Sequence, residues 1–141
     1  MASALHQFRV FSEMTHWTLT ALLLMIAALQ LKHFICDGPL QTAEMVRQKS
    51  IYGAWQGVLH SVFHGVGTGV ILFVFGLPIA TLIGLAILDF AIHYNVDFTK
   101  ENIVKYFKWQ SKDTKFWWAL SADQALHQWT YLFLVALAIR A

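Results

Sequence analysis

The chain has little charge, little proline and almost no cysteine. Only 13% of its 141 residues are Asp, Glu, Lys or Arg, whereas 57% are hydrophobic. A water-soluble domain of this size usually has about a quarter of its residues charged, so the composition argues against that class. The single cysteine, Cys36, excludes an internal disulfide and is expected to be a packed, inert thiol. No internal repeat or low-complexity segment is present.

The hydrophobic residues are concentrated in long runs. A helix needs about 20 predominantly apolar residues to cross a bilayer, and four runs approach that length: residues 17–36, 54–75, 78–98 and 116–138. The first run lacks a clear small-residue cleavage site, so we expect it to be retained rather than removed as a signal peptide. The sequence therefore predicts one membrane domain over residues 1–141, an all-α polytopic protein with four transmembrane helices in an up-and-down bundle.

The basic residues predict the orientation of these spans. An even number of spans places both termini on one side, where the chain offers Arg9 and Arg140. The two long loops on the other side contain seven basic residues: Arg47, Lys49, Lys100, Lys105, Lys108, Lys112 and Lys115. Because Lys and Arg accumulate on the cytoplasmic side, we expect a multi-pass protein of a bacterial inner membrane with cytoplasmic long loops and periplasmic termini.

The third loop, residues 100–115, has an amphipathic pattern. On a helical wheel its four later lysines fall within an arc of roughly 80°, and several apolar residues lie mostly on the other side. This pattern predicts a short amphipathic helix in the interface, in contact with membrane lipids. A solvated linker made basic by the topology explains it equally well. No nucleic-acid partner is expected, because no recognised binding module accompanies the lysines.

Each predicted span has a pair of His or Asp residues four positions apart. The pairs are His33 and Asp37, His60 and His64, Asp89 and His93, and Asp123 and His127, and Asp97 lies one turn beyond His93. Residues four apart project from one face of a helix. The pairs fall at the end of spans one and three and at the start of spans two and four, which lie on the same side of an up-and-down bundle. We therefore expect them to converge.

A metal site explains this convergence best. An ionisable group inside a bilayer costs a few kcal/mol, so it normally faces a partner or a cavity. Imidazole and carboxylate suit zinc, with iron or manganese as alternatives, and two divalent cations would balance four ionised aspartates. The candidate metal ligands are His33, Asp37, His60, His64, Asp89, His93, Asp123 and His127. A metal-free His–Asp network and a haem with axial histidines are the alternatives, although haem leaves the aspartates unused.

Four motifs, in order, resemble those of a known family. They are His33-x3-Asp37-x2-Leu40-Gln41-Thr42, His60-x3-His64, His93-x3-Asp97-x2-Lys100 and Asp123-Gln124-x2-His127. The chain resembles a small prokaryotic and phage-encoded family of four-helix membrane proteins, which is catalogued only as a domain of unknown function. The resemblance implies the four-helix plan and these polar positions, but it implies no activity.

Three functions are compatible with these residues. The first is a metal-dependent hydrolase that acts on a lipid or another amphiphile near the cytoplasmic face, with Asp97 or Asp89 as the general base. The second is a transporter of divalent metal or protons, against which the apolar outer half of the spans argues. The third is a non-catalytic subunit or assembly factor of a larger membrane complex, and a homo-oligomer is also compatible with the sequence.

Overall fold

A computed structural model of the protein describes residues 17–141, which form five α-helices and no strand. The helices are α1 (Leu19–Asp37), α2 (Ala43–Gln48), α3 (Trp55–Val74), α4 (Ile79–Tyr106) and α5 (Thr114–Ala138). Among the described residues, α1, α3 and α4 are long and apolar enough to cross a membrane. The prediction of an all-α protein with several helices that could span a membrane is therefore confirmed, whereas the predicted count of four spans is not. Arg9, which entered the orientation argument, lies outside the described residues.

The helix boundaries follow from local capping. Thr18 precedes α1, and its hydroxyl accepts a hydrogen bond from the Ala21 amide at 3.1 Å. Gly38 ends the same helix and is followed by Pro39, which cannot continue a helix. A tight reversal joins α3 to α4, where Gly76 adopts a φ of +80°, a conformation that favours glycine. Apart from the end of α4, the long helices therefore begin and end close to the residues that the sequence predicts.

The fourth helix departs from the prediction. We expected the third span to end near residue 98 and a separate interfacial helix to occupy residues 100–115. Instead α4 continues without a break to Tyr106, a turn follows, and α5 begins at Thr114. Residues 85–106 contain no glycine or proline, so nothing interrupts the helical hydrogen bonds. The separate interfacial helix is therefore not confirmed, and the lysines of this region are divided between the end of α4, the turn and the start of α5.

The four long helices contact one another in a closed order. The first helix packs against α3 and α5, and α4 also packs against α3 and α5, while the short α2 rests on α3. One half of the interior is apolar, built from the cluster Met25, Leu29, Leu72, Leu77, Leu85, Tyr131, Leu134, Val135 and Ala138. These residues lie mainly in the first part of α1 and α4 and the last part of α3 and α5. The opposite half contains the buried polar residues.

Gly65 allows α3 and α4 to approach closely. A Cβ atom on this glycine would lie 2.9 Å from the carbonyl oxygen of Ala86 and 3.1 Å from the Cβ of Phe90. The first distance is too short for a side chain at this position without movement of α4, because a backbone oxygen cannot give way as a flexible side chain can, and the second is tight. The close contact brings His64, next to the glycine, towards His93 on the facing helix, and their rings stack with centroids 3.5 Å apart.

Candidate metal centre

Three helices bring together a first group of potential ligands, here called the primary cluster: Asp37, His60, His64 and His93. One ligand atom from each residue lies within 4.8 Å of the others. The Oδ1 atom of Asp37 is 3.1 Å from His60 Nε2, 3.3 Å from His64 Nε2 and 4.0 Å from His93 Nε2. The three histidines are at most 1% exposed. The cluster is therefore a buried site with one carboxylate and three imidazoles.

A secondary cluster shares one residue with the first and consists of His93, Asp97 and His127. The Oδ2 atom of Asp97 lies 3.2 Å from His93 Nε2, and its Oδ1 atom lies 3.7 Å from His127 Nε2. His93 and Asp97 are four residues apart on α4 and therefore project from the same face. The two clusters are thus neighbouring parts of one polar centre to which α1, α3, α4 and α5 all contribute.

Several atoms at this centre are buried without a hydrogen bond of acceptable geometry within the described part of the chain. Asp37 Oδ1, His64 Nε2 and His127 Nε2 belong to this group. Leaving a buried polar atom unpaired costs roughly 1–3 kcal/mol, so native structures rarely leave several at one point. A cation in the primary cluster would satisfy the lone pairs of Asp37 Oδ1 and His64 Nε2 together. The donor set of imidazole and carboxylate fits zinc and is also compatible with iron or manganese.

His33 lies beside the primary cluster and belongs to neither cluster. Its Nε2 atom is 3.1 Å from the side-chain oxygen of Gln124 and 3.1 Å from Asp37 Oδ2, and its Nδ1 atom is 2.8 Å from the Tyr131 hydroxyl. Because Gln124 Oε1 can only accept, Nε2 donates and Nδ1 accepts from the tyrosine. Both ring nitrogens are therefore engaged. His33 is placed to orient the Asp37 carboxylate, as residues behind metal ligands commonly do.

Asp123 also lies next to the centre without joining a cluster. Its Oδ1 atom is 3.5 Å from His127 Nε2, one turn along α5, and its Oδ2 atom accepts a hydrogen bond from the Gln124 amide at 3.2 Å. The carboxylate is only 4% exposed. On its other side it lines a groove between α4 and α5. Asp123 therefore forms part of the wall between the secondary cluster and that groove.

Asp89 lies deeper, where it forms an ion pair that the sequence analysis missed. Lys32 Nζ donates to Asp89 Oδ2 at 2.8 Å, and the Thr68 hydroxyl donates to the same oxygen at 2.6 Å. The ammonium also contacts the Tyr131 hydroxyl at 3.1 Å and the His64 carbonyl oxygen at 3.4 Å. We call the ion pair of Lys32 and Asp89 the deep pair. Lys32 immediately precedes His33 in an apolar span, and the cost of burying its charge was the signal that could have identified it.

A second lysine approaches the centre from the loop after α2. Lys49 is 6% exposed, and its Nζ lies 2.8 Å from Asp97 Oδ2 and 3.9 Å from Asp37 Oδ1. It also donates to the Gln41 side-chain oxygen at 2.5 Å. From sequence this residue was counted only as part of the basic cytoplasmic side. Its position near residue 50 gave no periodic signal that would have linked it to the histidines.

The two lysines correct the expected charge balance. Four ionised aspartates at positions 37, 89, 97 and 123 would need two divalent cations if nothing else were charged. Lys32 offsets Asp89, and Lys49 offsets one further carboxylate next to the clusters. Two negative charges then remain, and a single divalent cation balances them. With neutral histidines, this charge count matches one divalent ion, whereas the sequence alone suggested two.

The candidate ligands consequently fall into two sets. Asp37, His60, His64, His93 and His127 lie in the clusters, together with Asp97, which was predicted as a base. His33, Asp89 and Asp123 contact this centre or lie below it, outside both clusters.

Comparison with known proteins gives a family and nothing more specific. A family model described as "Protein of unknown function (DUF3307)" matches residues 14–140. No curated protein and no solved structure matches the chain. The match spans almost the whole sequence, including every residue of the two clusters and of the deep pair.

Proposed function

The chain belongs to the DUF3307 family, whose function is unknown, and from the geometry of its site we propose that it is a membrane-embedded metal-dependent hydrolase. Its substrate would be an ester-bearing lipid or another amphiphile near the cytoplasmic leaflet. The observation that carries the proposal is the convergence of one carboxylate and three imidazoles in the primary cluster, beside a second carboxylate–imidazole pair.

We propose that all four long helices, α1, α3, α4 and α5, cross the membrane as an up-and-down bundle. The 25 residues of α5 correspond to about 37 Å of helix, enough to cross a hydrocarbon core of about 30 Å. Its polar residues Asp123 and His127 are buried, whereas Trp129, Leu132 and Phe133 are at least half exposed. A helix with its polar side towards protein and its apolar side outward is suited to lipid. The excess of lysines in the long loops supports a cytoplasmic location for them in a bacterial cell.

The proposed cofactor is one divalent ion, most simply zinc, held by the primary cluster. When bound, such an ion lowers the pKa of a coordinated water and polarises an ester carbonyl. The protein would supply the rest of the chemistry through the secondary cluster. Asp97 would accept the proton of the attacking water, and His127, 3.7 Å from Asp97, would give a proton to the departing alcohol oxygen.

The atom balance of this reaction is that of ester hydrolysis. The water oxygen forms a bond to the acyl carbon, the bond between that carbon and the alcohol oxygen breaks, and a carboxylic acid and an alcohol leave. We assign the base to Asp97 rather than Asp89, because Asp97 belongs to the secondary cluster, whereas Asp89 lies outside both clusters in its pair with Lys32. Asp97 lies among the ligands, where a reacting water could reach it.

A carrier is less well supported than an enzyme. Ion transport needs polar groups along the whole path, whereas Met25, Leu29, Leu72 and Leu134 close the interior beyond the deep pair and are 0% exposed. A non-catalytic subunit of a larger complex would not need a site that can take up an ion. Metal content therefore distinguishes a non-catalytic subunit from an enzyme or a carrier.

The test is metal analysis combined with turnover. We expect detergent-purified protein to contain about one zinc, iron or manganese per chain, and to hydrolyse a long-chain acyl ester in a chelator-sensitive, metal-restorable way. His60→Ala should lose both metal and turnover, whereas Asp97→Asn should retain metal and lose turnover. Gln128→Ala, on the exposed side of α5, is the matched control and should change neither. A folded protein without stoichiometric metal would refute the proposal.

A further inference from the structure

A long groove lies on the outer surface between α4 and α5. Its volume is about 920 Å³, towards the upper end of the roughly 300–1,000 Å³ of small-molecule sites. Small and aliphatic side chains form much of its wall: Ala91, Ile92, Val96, Ala119, Ala122 and Leu126. All of its lining residues come from α4, α5 and the turn between them, and Ile103, Trp118 and Leu126 among them are exposed, so the groove is open on the outer surface.

The length of the groove matches one leaflet of a bilayer. On α5 it extends from Lys115 to Leu126, which is roughly 16 Å at 1.5 Å per residue. The hydrocarbon core of a bilayer is about 30 Å thick, so one leaflet contributes about half of that. A groove of this length and apolar lining suits one extended acyl chain.

Cationic and aromatic residues lie at the loop end of the groove. Lys100, Lys115, Trp109 and Trp118 all line it there. The Lys115 ammonium is 5.9 Å from the centre of the Trp109 ring, and no ion pair engages it within residues 17–141. Lys100 pairs with Glu101, which does not line the groove. Tryptophan and lysine at this level are typical of the boundary between hydrocarbon and lipid headgroups.

Taken together, these features lead us to propose that the groove binds one anionic phospholipid of the cytoplasmic leaflet, with its phosphate at Lys115 and Lys100 and one acyl chain along α4 and α5. Asp123 lines the groove eight residues beyond Lys115, about 12 Å deeper. A phosphate at the lysines would therefore leave the ester region of the lipid between the loop end and Asp123.

This position of the lipid also suggests the substrate class of the proposed hydrolase, namely phospholipid acyl esters. Asp123 Oδ1 is 3.5 Å from His127 Nε2, so the wall of the groove is continuous with the secondary cluster. An acyl ester of the bound phospholipid would approach the proposed catalytic residues from the side, without leaving the membrane. That assignment rests on the proposed hydrolase, whereas binding of the lipid does not.

Charge argues against a second copy of the chain in the groove. Two copies related by a two-fold axis along the membrane normal would place Lys100 and Lys115 of each at the same depth and opposite each other. Like charges facing each other destabilise such an interface. The phosphate of an anionic lipid, in contrast, is attracted to both lysines.

The test is lipid binding measured by native mass spectrometry of the detergent-solubilised protein. We expect phosphatidylglycerol to bind more tightly than phosphatidylcholine with the same acyl chains. Lys115→Gln should weaken phosphatidylglycerol binding about fivefold, the equivalent of about 1 kcal/mol for one lysine at a lipid surface, and should leave phosphatidylcholine unchanged. Inorganic phosphate at millimolar concentration should not compete, because it lacks the acyl chain.

A second pair of variants tests the position of the chain. Ala122→Phe fills the groove and should reduce binding of both lipids, whereas Ala80→Phe, on an exposed part of α4 away from the groove, should reduce neither. Ala119→Leu is a milder alternative if the phenylalanine disturbs folding. Equal binding of the two lipids, no effect of either groove variant, or a dimer that Ala122→Phe dissociates would each overturn the proposal.

The same measurement on His60→Ala separates this inference from the proposed function. Selective phosphatidylglycerol binding that survives in this variant supports the groove whether or not the wild type proves to be an enzyme. Hydrolysis of other esters without hydrolysis of bound phosphatidylglycerol would overturn the assignment of the substrate class while leaving the metal-dependent activity intact.

Discussion

Lys32 on α1 and Asp89 on α4 form a buried ion pair, with Nζ and Oδ2 only 2.8 Å apart and both side chains at most 5% exposed. The stem of the lysine passes over Gly67 of α3, where a Cβ atom would lie 2.7 Å from Lys32 Cγ. One pair thus ties together three helices just below the candidate metal centre.

Removing one partner of this pair should be costly. Lys32→Met leaves the Asp89 carboxylate buried with only Thr68 as donor, and breaking a buried pair in this way typically costs about 3–5 kcal/mol. We expect a marked fall in the midpoint of denaturant unfolding in detergent. The double variant Lys32→Met/Asp89→Asn should recover much of the loss, because no uncompensated charge remains. Equal stability of the single and double variants would contradict the pairing.

The ligands and the residue behind them should differ in their effect on metal affinity. His60→Ala removes a member of the primary cluster and should abolish stoichiometric binding. His33→Gln removes only a group that orients Asp37, and such residues typically contribute 10–100-fold to metal affinity. Competition with a zinc-binding dye measures both. If His33→Gln costs as much as His60→Ala, then His33 is a ligand itself, as the sequence first suggested.

The close approach of α3 and α4 should make Gly65 intolerant of a side chain. Gly65→Ala places a methyl group 2.9 Å from a backbone oxygen of α4, and overpacking of this kind costs about 1–3 kcal/mol. Gly84→Ala is the matched control, because a Cβ atom there meets nothing within 4 Å. We expect thermal unfolding in detergent to show a loss for the first variant and none for the second. A loss in both would point to a general effect of replacing glycine.

The proposed topology can be tested with single cysteines. In a Cys36→Ser background, Lys112→Cys lies in the turn between α4 and α5, and Arg140→Cys lies beyond α5. If α5 crosses the membrane, a membrane-impermeant maleimide added to intact spheroplasts should label position 140 and not position 112. Lysis should make both accessible. Labelling of both positions from one side would show that α5 does not cross.

Much of the site could be predicted because helical geometry is periodic. The spacing of four in His60 and His64, and in His93 and Asp97, fixes which face each residue occupies. The lengths of the apolar runs fix the depth of each pair. From spacing and depth together, the sequence predicted that nine residues converge, and six of them lie in the two clusters: Asp37, His60, His64, His93, Asp97 and His127.

The remaining features depend on contacts that a single sequence does not encode periodically. Asp89 satisfied the same spacing rule as its neighbours, but it pairs with Lys32 because the long stem of that lysine reaches across Gly67. Lys49 reaches the site from a loop, where no regular geometry fixes its direction. The length of α4 was likewise hard to predict. A proline or glycine marks the end of a helix, whereas the absence of both does not by itself predict that the helix continues to Tyr106.

The Lys49 ammonium already occupies the position beside Asp97 and Asp37 that an arriving cation would approach. The Gln41 side chain holds the ammonium there from the loop side, so the site contains a fixed positive charge before any metal arrives. With this lysine and Lys32 in place, a monovalent ion in the primary cluster would leave one carboxylate charge uncompensated, whereas a divalent ion would leave none. The fixed ammonium would thus favour divalent ions over sodium and potassium.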